Sequence, residues 1–478
     1  MRHQEADNVV IGSGPGGAMT GALLAEEGRD VLMLEEGAAL ALESCLPFTV
    51  GEMVQKYRNR GLTVGIGKPK VAYVEGRVGG GGSEINSGLY HRPPPDALER
   101  WRSECNVSAL NDALLEPLAV QNEADLSVQC IPGDRKPPAS LKLHEGALQL
   151  GWKSFEVPRW FSFDGTFDAF GVPRGTRQSM SKTFLPRLAR AGGRLDTGIR
   201  VDRFERSGNA WNVFASHDGQ PVRIRAGHLF VCGGAVQTPF LLRRSGITEA
   251  IGDRLLMHPT VKAVARFPDV INGPDSGVGV HQVKQFSPRI SLGCSIASQP
   301  YLALAMLDHP GYAHWVDDEW TRMGIYYAMV DGGGHGSVRA LPGVADPLVR
   351  YRVSREGRRD LAAGLHALCR ALLAAGATEI FPSIAGFGPP IRTAADLPRI
   401  PAELPADRTQ LMTIHLLGSC PMGEGVSRAP CDSFGRVKGH SGLTVNDASL
   451  ICDSPGVNPQ GTIMLLARRN VVHHLGKL

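Results

Sequence analysis

Residues 7–37 read DNVVIGSGPGGAMTGALLAEEGRDVLMLEEG, and this stretch decides the fold. Its apolar runs predict a strand at Val9–Ile11 and a second strand at Val31–Leu34. Between them, Ala18–Glu27 has the composition of a helix. Strand, glycine turn, helix and strand in this order are typical of the first unit of a parallel, doubly wound sheet.

Three glycines between the first strand and the helix form the motif GxGxxG. Gly12 permits the tight turn, Gly14 lets backbone approach a pyrophosphate, and Gly17 lets the helix pack on the strand. The helix N-terminus then faces the phosphates. Glu35 follows Gly17 by 18 residues and can accept hydrogen bonds from ribose hydroxyls. A lone GxGxxG indicates little, but the whole unit predicts a dinucleotide site. An acid at this position disfavours a 2′-phosphate, so the ligand is FAD or NAD.

A second glycine-rich loop favours FAD over NAD. Residues 76–88 read GRVGGGGSEINSG, with four consecutive glycines at 79–82. Such a run presents no side-chain barrier to wrapping closely around a flat or phosphorylated ligand. The alternative is a flexible linker, but the SEIN segment and Tyr90 that follow are not typical of one. A nicotinamide domain needs no second glycine clamp, so this loop indicates the longer dinucleotide.

The bulk composition is that of a globular protein of about two or three domains. The chain has 478 residues, of which 42% are hydrophobic and 21% are charged, and its formal net charge is +4. The basic residues are scattered, so no nucleic-acid or membrane surface is indicated. The nine cysteines form no CxxC pair, which favours reduced thiols over a disulfide framework. With no leader and no apolar run of about 18 residues, we expect a cytoplasmic protein without a membrane span.

Further landmarks follow along the chain. Residues 76–86 match GRxxGGxSxxN, residues 234–247 match GAxxTPxLLxxSGI, and a third block runs from His415 to Asn470. With the GxGxxG unit, these motifs make the sequence resemble the glucose–methanol–choline (GMC) family of FAD-dependent oxidoreductases, in that family's order. The ending GVNPQGTIMLLARRN is most similar to the cholesterol-oxidase branch and to small bacterial alcohol dehydrogenases of the family.

The resemblance implies an α/β fold with an α+β substrate part. A Rossmann-like FAD-binding domain would be assembled from the discontinuous segments 1–100, 195–260 and 408–478. A substrate-binding domain, an antiparallel sheet with helices, would be built from 101–194 and 261–407. Within the latter, an apolar stripe between Arg355 and Gly376 predicts an amphipathic helix.

The resemblance also implies how FAD is held. Family members with covalent FAD have a histidine just before the asparagine of the first signature. That position is Ile85 here, so we expect a non-covalent flavin. A helix starting at about Thr462 would direct its positive end toward flavin N1 and O2. The cofactor-binding residues so implied are Gly12, Gly14, Pro15, Gly17, Glu35, Arg77, Gly80, Gly81, Ser83, Asn86, Val201, Gly234, Asp447, Ala448, Asn458, Pro459, Gln460 and Thr462.

His415, in MTIHLLGSCPMG, is the candidate catalytic base. Hydride loss from an alcohol is slow unless its hydroxyl group is deprotonated or strongly hydrogen-bonded. Histidine, with a pKa of about 6.5, is the natural base at neutral pH. Residues 412–417 are predicted to form a strand that presents His415, which matches the family's HxxGxxxMG histidine. Asn458 matches the second active-site position and would orient the alcohol through its amide. The alternatives are a core histidine and a turn asparagine before Pro459.

The sequence therefore predicts oxidation of an alcohol CH–OH group to a carbonyl, with hydride transfer to flavin N5. The partners are a small alcohol and an electron acceptor, O2 or another carrier. The rival predictions are a non-redox, hydroxynitrile-lyase-like enzyme of the same fold, an NAD-dependent dehydrogenase and a binding module. His258, followed by proline, is interpreted as structural. Cys420 and Cys431 lie too far apart to indicate a metal site.

Overall fold

The computed structural model describes residues 2–425 and 428–478. Its helices are α1 (Pro15–Glu26), α2 (Val50–Lys56), α3 (Pro95–Ser103), α4 (Asp112–Asp125), α5 (Pro138–Gln149), α6 (Phe184–Arg190), α7 (Gly234–Arg244), α8 (Gln299–Ala305), α9 (Trp315–Asp318), α10 (Arg355–Ala374) and α11 (Gln460–His474).

The strands in the first half of the chain are β1 (Arg2–Ile11), β2 (Val31–Glu35), β3 (Thr63–Gly65), β4 (Val71–Tyr73), β5 (Val128–Gln129), β6 (Ser154–Glu156), β7 (Arg159–Phe167), β8 (Pro173–Arg177), β9 (Arg194–Thr197), β10 (Ile199–Ser207), β11 (Ala210–His217) and β12 (Gln220–Val231). Those in the second half are β13 (Leu256–Met257), β14 (Thr260–Arg266), β15 (His281–Val283), β16 (Ile290–Cys294), β17 (Met323–Val330), β18 (Gly334–Arg339), β19 (Leu348–Val353), β20 (Glu379–Pro382), β21 (Leu411–Thr413), β22 (Leu416–Leu417) and β23 (Leu443–Val445).

The strand–turn–helix–strand unit forms the centre of a seven-stranded sheet. The strand order is β10-β11-β12-β1-β2-β9, and β23 also pairs with β12. β1 runs parallel to both β12 and β2. β10, β11 and β12 pair antiparallel at one edge. The predicted Rossmann-like α/β sheet is therefore confirmed.

The element bounds differ from the sequence prediction at the start of the unit. β1 begins at Arg2 rather than Val9. In its first half Ala6 is buried while Glu5 and Asp7 are exposed, so this part lacks the continuous apolar run of a strand buried on both faces. α1 begins at Pro15 rather than Ala18, because proline fits the first helical turn, where its missing N–H needs no partner.

A second, mainly antiparallel sheet has nine strands in the order β3-β4-β21-β14-β17-β16-β15-β6, with β20 beside β14. α10 packs against it and buries Leu361, Leu365 and Leu368 in the same cluster as Val261 of β14. The predicted amphipathic helix and the predicted antiparallel sheet with helices are both confirmed.

The chain crosses between the sheets more often than the predicted segments suggest. β3 and β4, from segment 1–100, and β21, from segment 408–478, pair in the second sheet. Each crossing lies next to a predicted site element, since β4 precedes the loop 76–88 and β21 precedes His415. The domain boundaries themselves stay a prediction.

The cysteines carry no cross-link, since all nine are free thiols. Over residues 2–425 and 428–478, no helix is both long and apolar enough to cross a bilayer. In the same residues, no group of three or more His, Cys, Asp and Glu side chains is arranged to hold a metal ion.

Candidate active site

A cavity of about 560 Å³ is lined by residues of both sheets and by the loops between them. Ile11 and Leu34 lie at the ends of β1 and β2, where their strands enter loops. Lys262 and Tyr327 line the cavity from the second sheet. In an open parallel sheet, the carboxyl ends of the strands are where ligands bind, so this cavity is the candidate site.

The turn between β1 and α1 has the geometry that each glycine was predicted to supply. Gly12 has φ +98°, and a Cβ there would lie 2.5 Å from the carbonyl oxygen of Cys232. A Cβ on Gly17 would lie 1.9 Å from the carbonyl oxygen of Gly12, so this glycine allows helix and strand to pack. A Cβ on Gly14 would meet no atom within 4 Å. Gly14 therefore keeps the cavity wall open.

The N-terminus of α1 is free to bind an anion. Its N-cap residue, Gly14, makes no side-chain hydrogen bond, and its first turn carries no acidic residue. The first N–H groups of a helix have no intrahelical partner, and the helix dipole makes this end positive. Since Pro15 and Gly16 line the cavity, this positive end faces into it.

Glu35 and Ser13 tie the two glycine-rich loops together. Glu35 Oε2 accepts hydrogen bonds from the backbone N–H and the hydroxyl of Ser13, at 3.0 and 2.6 Å. The same hydroxyl accepts from the backbone N–H of Gly80 at 3.0 Å. Burial raises the pKa of the Glu35 carboxyl, against the opposing effect of these hydrogen bonds. Ser13 was missed in the sequence because the motif constrains only the glycines around it.

The second glycine-rich loop lies directly on the first. A Cβ on Gly81 would lie 2.8 Å from Cα of Gly14, so this approach requires glycine at position 81. Asn86, at the end of this loop, donates from Nδ2 to Oε1 of Gln460 at 2.6 Å. Ile85, which directly precedes Asn86 in this loop, lines the cavity and is buried. The two predicted glycine loops therefore form one continuous wall.

Asp447 holds the third wall in place. Its Oδ2 accepts from the backbone N–H of Gly234 at 2.7 Å, where α7 begins, and its Oδ1 accepts from the backbone N–H of Ser449 at 2.8 Å. A Cβ on Gly16 would lie 2.1 Å from the carbonyl oxygen of Asn446, which shows how closely this segment approaches α1. The side chain of Asp447 thus holds this segment in place, and both Asp447 and Ala448 line the cavity.

His415 is presented by a break in a strand rather than by a continuous one. The predicted strand 412–417 is wrong in this respect, because β21 ends at Thr413 and β22 begins at Leu416 in a different pairing. The Thr413 hydroxyl accepts from the backbone N–H of His415 at 3.1 Å and donates to its carbonyl at 3.0 Å. These local bonds replace the ladder bonds at this residue.

His415 and Asn458 lie next to each other in the structure. Asn458 Nδ2 lies 3.3 Å from His415 Nε2, although the residues are 43 positions apart. Asn458 Oδ1 accepts from Gln282 Nε2 at 3.0 Å, which directs its Nδ2 toward the histidine. Both residues line the cavity, and His415 is 7% exposed. The pair places an amide and an imidazole side by side on one cavity wall.

A second histidine lies behind His415. His258 Nδ1 is 2.9 Å from His415 Nδ1, and the His258 ring is fully buried. On its other side, His258 Nε2 lies 2.6 Å from Ser454 Oγ and 3.6 Å from Asp331 Oδ1. No pattern in the sequence indicates this contact, because 157 residues separate the two histidines and each occurs in its own motif.

This arrangement favours one placement of the ring protons. Asp331 Oδ1 lies 3.6 Å from His258 Nε2, and this nearby carboxyl group favours a proton on that nitrogen. His258 Nδ1 is then an acceptor, and the proton between the rings belongs to His415 Nδ1. His415 Nε2 is therefore the unprotonated nitrogen that faces Asn458.

Burial keeps both rings neutral. It lowers the pKa of His258 to about 3, with a smaller contribution from the nearby Lys284 ammonium, and lowers the pKa of His415 well below its ordinary value, with smaller contributions from His258 and then Lys284. A neutral histidine with its lone pair at Nε2 is the form that can take a proton.

Gln282 extends the network to the second sheet. Its Nε2 also lies 3.2 Å from the Tyr327 hydroxyl. A Cβ on Gly293 would lie 2.3 Å from that hydroxyl, so the glycine makes room for the phenol. His91 also lies beside Gln282, and burial lowers the pKa of His91 to about 3. Its Nε2 has no hydrogen-bond partner in the described residues.

The predicted cofactor-binding residues fall into two groups. Those that line the cavity are Gly12, Gly14, Pro15, Glu35, Arg77, Gly81, Asn86, Val201, Gly234, Asp447, Ala448, Asn458, Pro459 and Gln460. Gly17, Gly80, Ser83 and Thr462 lie behind this wall. Ser83, for example, donates to the carbonyl of Gly80 at 2.7 Å and accepts from the N–H of Met180 at 3.0 Å.

The wall fits a dinucleotide such as FAD. The open face of Gly14 and the uncapped start of α1 suit a pyrophosphate. At the other end of the wall, α11 begins at Gln460 rather than at Thr462, so its N–H groups follow Asn458 directly. The Thr462 hydroxyl in its first turn is buried and has no partner among the described residues.

Comparisons with known proteins agree with these features. A GMC oxidoreductase N-terminal model matches residues 14–260, and the corresponding C-terminal model matches residues 336–467. A GMC-type oxidoreductase of Sinorhizobium fredii is 38% identical over 97% of this chain and 94% of its own length.

Two more distant proteins are also similar. A long-chain-alcohol oxidase of Arabidopsis thaliana is 25% identical over 96% of this chain, which spans 66% of that relative. The crystal structure of pyridoxine 4-oxidase from Mesorbium loti matches with a TM-score of 0.73, covering 98% of this chain and 99% of that one. At 16% identity, this match shows the fold alone.

Proposed function

Since this chain belongs to the GMC oxidoreductase family, we propose that it is an FAD-dependent enzyme that oxidises an alcohol CH–OH group to a carbonyl. One observation carries the proposal: Nε2 of a buried histidine, His415, faces the Asn458 amide on the cavity wall. The relatives named long-chain-alcohol oxidases support the choice of an alcohol as substrate.

Three parts of the wall would hold FAD. The start of α1 and the touching glycines, Gly14 and Gly81, would bind the pyrophosphate. Glu35 and Val201 would bind the adenosine end, and the start of α11 would lie by the flavin. With Ile85 where covalent members have a histidine, the flavin would be held without a covalent bond. When bound, FAD supplies at N5 the acceptor for the hydride of the carbinol carbon.

His415 would take the hydroxyl proton. The pKa of an alcohol lies far above 7, so its hydroxyl group stays protonated at neutral pH. A base must therefore be in place when the C–H bond breaks. Burial keeps His415 neutral, and His258 holds its Nδ1 proton, so Nε2 is the nitrogen that accepts.

Asn458 would orient the substrate. Without an alcohol, its Nδ2–H group donates to His415 Nε2 at 3.3 Å, which is a long hydrogen bond. A substrate hydroxyl between the two residues can donate to His415 Nε2 and accept from Asn458 Nδ2, and so replaces one weak bond by two. Gln282 keeps the amide in this orientation from the other side.

Anaerobic mixing of the FAD-loaded protein with a panel of alcohols tests the proposal. We expect at least one sugar, sterol, aliphatic or aryl alcohol to bleach the oxidised-flavin absorbance and to leave as a carbonyl compound. A flavin that stays oxidised while substrate is consumed would instead support the lyase alternative. A purified protein without flavin would support a nicotinamide enzyme. Readmission of oxygen, or of a dye, then identifies the electron acceptor.

A further inference from the structure

Lys262 differs from other lysines that pack inside the protein. Lys56 is fully buried, and its ammonium donates to the carbonyls of Ala41 and Leu42 at 3.3 and 2.8 Å. Lys284 donates to the Ser291 hydroxyl. Within the described residues, the Lys262 ammonium makes neither a hydrogen bond nor an ion pair.

The register of the second sheet places Lys262 on the cavity face. Lys262 lies opposite Tyr327 of the next strand, and both residues line the cavity. Thr260, two residues earlier and therefore on the same face, lies opposite Met329 on one side and Met412 on the other. These three residues also line the cavity. Lys262 is thus a cation on a wall that is otherwise largely apolar or neutral.

The surroundings of Lys262 contain no compensating charge. Burial alone lowers the pKa of its ammonium, to about 8, and no carboxylate acts on it. At neutral pH the group still carries its charge for most of the time. Lys262 is half-buried, and a charge partly withdrawn from water destabilises the folded protein unless a partner or hydrogen bonds compensate it. The compensating negative charge is therefore expected to belong to the molecule that fills the cavity.

We propose that Lys262 forms an anion subsite in the substrate cavity and that the preferred substrates are alcohols with a carboxylate remote from the hydroxyl. This inference rests on the proposed oxidation at His415 and names the substrate class for it. A single ammonium, without an arginine fork, matches a monoanion better than a phosphate dianion.

The spacing along the sheet suits such a bifunctional molecule. Lys262, Tyr327, Gly293 and Gln282 follow one another across four neighbouring strands. Three strand spacings separate the Cα atoms of Lys262 and Gln282 by about 14 Å. Because Gln282 contacts Asn458, the hydroxyl end of a substrate would lie near one end of this row and its carboxylate near the other.

Ligand binding to the FAD-loaded, oxidised protein tests the subsite without turnover. The probes are hexanoate, hexanol and hexylammonium, together with the matching octyl set, and calorimetry or the flavin spectrum reports their dissociation constants. The proteins are the wild type, Lys262→Met, Lys262→Arg and, as a matched control, Lys70→Met, which removes an exposed lysine outside the cavity.

The wild type is expected to bind alkanoates more tightly than the matched alkanols, by about tenfold to a hundredfold, since one charged hydrogen bond is gained. Alkylammonium ions should bind most weakly. Lys262→Met should lose the preference, while Lys262→Arg and Lys70→Met should retain it. A wild type without the preference, or a methionine variant that keeps it, overturns the proposal.

Two further arms keep the outcome decisive. Should Lys262→Met not fold, Lys262→Gln replaces it, and equal binding of hexanoate and hexylammonium to the wild type overturns the proposal on its own. Alkyl chains with a terminal hydroxyl and a carboxylate are then compared with plain alkanols in anaerobic flavin reduction. If no alcohol of either kind bleaches the flavin, the proposed oxidation fails, whereas the binding data still decide the subsite.

Discussion

The Nδ1 atoms of His258 and His415 lie 2.9 Å apart, and their rings are nearly perpendicular, at 87°. One proton must lie between two nitrogens this close, and Asp331 on the far side of His258 favours its placement on His415. His258 thus sets the tautomer of the proposed base without facing the cavity itself.

Substitutions of His258 separate this positioning role from packing. Asn Oδ1 stands where His Nδ1 does, so His258→Asn keeps an acceptor for the His415 proton, whereas His258→Leu removes it. We expect His258→Leu to slow flavin reduction by about tenfold to a hundredfold with little change in substrate affinity. His258→Asn should retain most of the rate. Anaerobic stopped-flow traces at several alcohol concentrations give both quantities.

His309 provides the control, because it is also buried, its Nε2–H donates to the Pro382 carbonyl at 2.7 Å, and it does not line the cavity. His309→Leu should lower the unfolding midpoint and leave the reduction rate unchanged. Equal rates for His258→Leu and His258→Asn would show that the contact between the rings has no part in proton transfer.

Alanine substitutions at two glycines of one motif should affect different properties, FAD affinity at Gly14 and folding stability at Gly17. A methyl group on Gly14 meets no protein atom, whereas one on Gly17 would lie 1.9 Å from the Gly12 carbonyl. Gly14→Ala should therefore fold with nearly the stability of the wild-type apoprotein but bind FAD more weakly by about tenfold or more. Gly17→Ala should destabilise the apoprotein itself. Thermal unfolding without cofactor and FAD titration separate the two; a Gly14→Ala protein with unchanged FAD affinity contradicts the assignment.

The flavin should leave the protein on denaturation. Ile85 lines the cavity where covalent members of the family have a histidine. We expect acid precipitation to release all FAD into the supernatant, where its absorbance is measured. Flavin that remains in the washed pellet would show an attachment through another side chain.

Acid should destabilise the protein through its buried histidines. Burial lowers the pKa of His91, His228 and His258 to about 3 and that of His281 to about 4. In the unfolded chain these groups take up protons below about pH 6.5, while in the folded protein they stay neutral. Their contribution to stability is therefore present above about pH 6.5 and is lost as the pH falls toward the folded values.

Urea unfolding at a series of pH values measures this loss, of about 1.4 kcal/mol per pH unit and per histidine. His228 packs on Phe230 outside the site, so its substitution isolates the contribution of one histidine to the pH dependence of stability. His228→Gln should have a shallower dependence than the wild type below about pH 6. A stability that is flat between about pH 6.5 and 5 would contradict the burial of these rings in neutral form.

Much of the fold could be predicted because its motifs have strict backbone requirements. Gly12 and Gly17 have neighbours that exclude a side chain, so the turn can be recognised from residue types alone. Strands buried on both faces, such as β2, show as apolar runs. The first half of β1 does not, because only one of its faces is buried, and its start was missed.

The core of the candidate site, His415 and Asn458, was predictable for a similar reason, since each lies in a motif with a fixed spacing. His258, Gln282 and Lys262 were not. They reach the site through strand pairing in the second sheet and through contacts between residues more than a hundred positions apart. No local sequence pattern indicates which strands pair or in which register. The break of the strand at His415 depends on one side chain, Thr413, that competes with the ladder.

The rate of flavin reduction in His415→Ala tests the central claim most directly. The variant and a control, His335→Ala, which changes an exposed histidine on β18, are loaded with FAD and mixed anaerobically with an alcohol that reduces the wild type. We predict that both bind FAD, that His335→Ala keeps the wild-type rate, and that His415→Ala loses about a hundredfold to ten-thousandfold. A His415→Ala protein that reduces its flavin at the wild-type rate would contradict the role of His415 as the base.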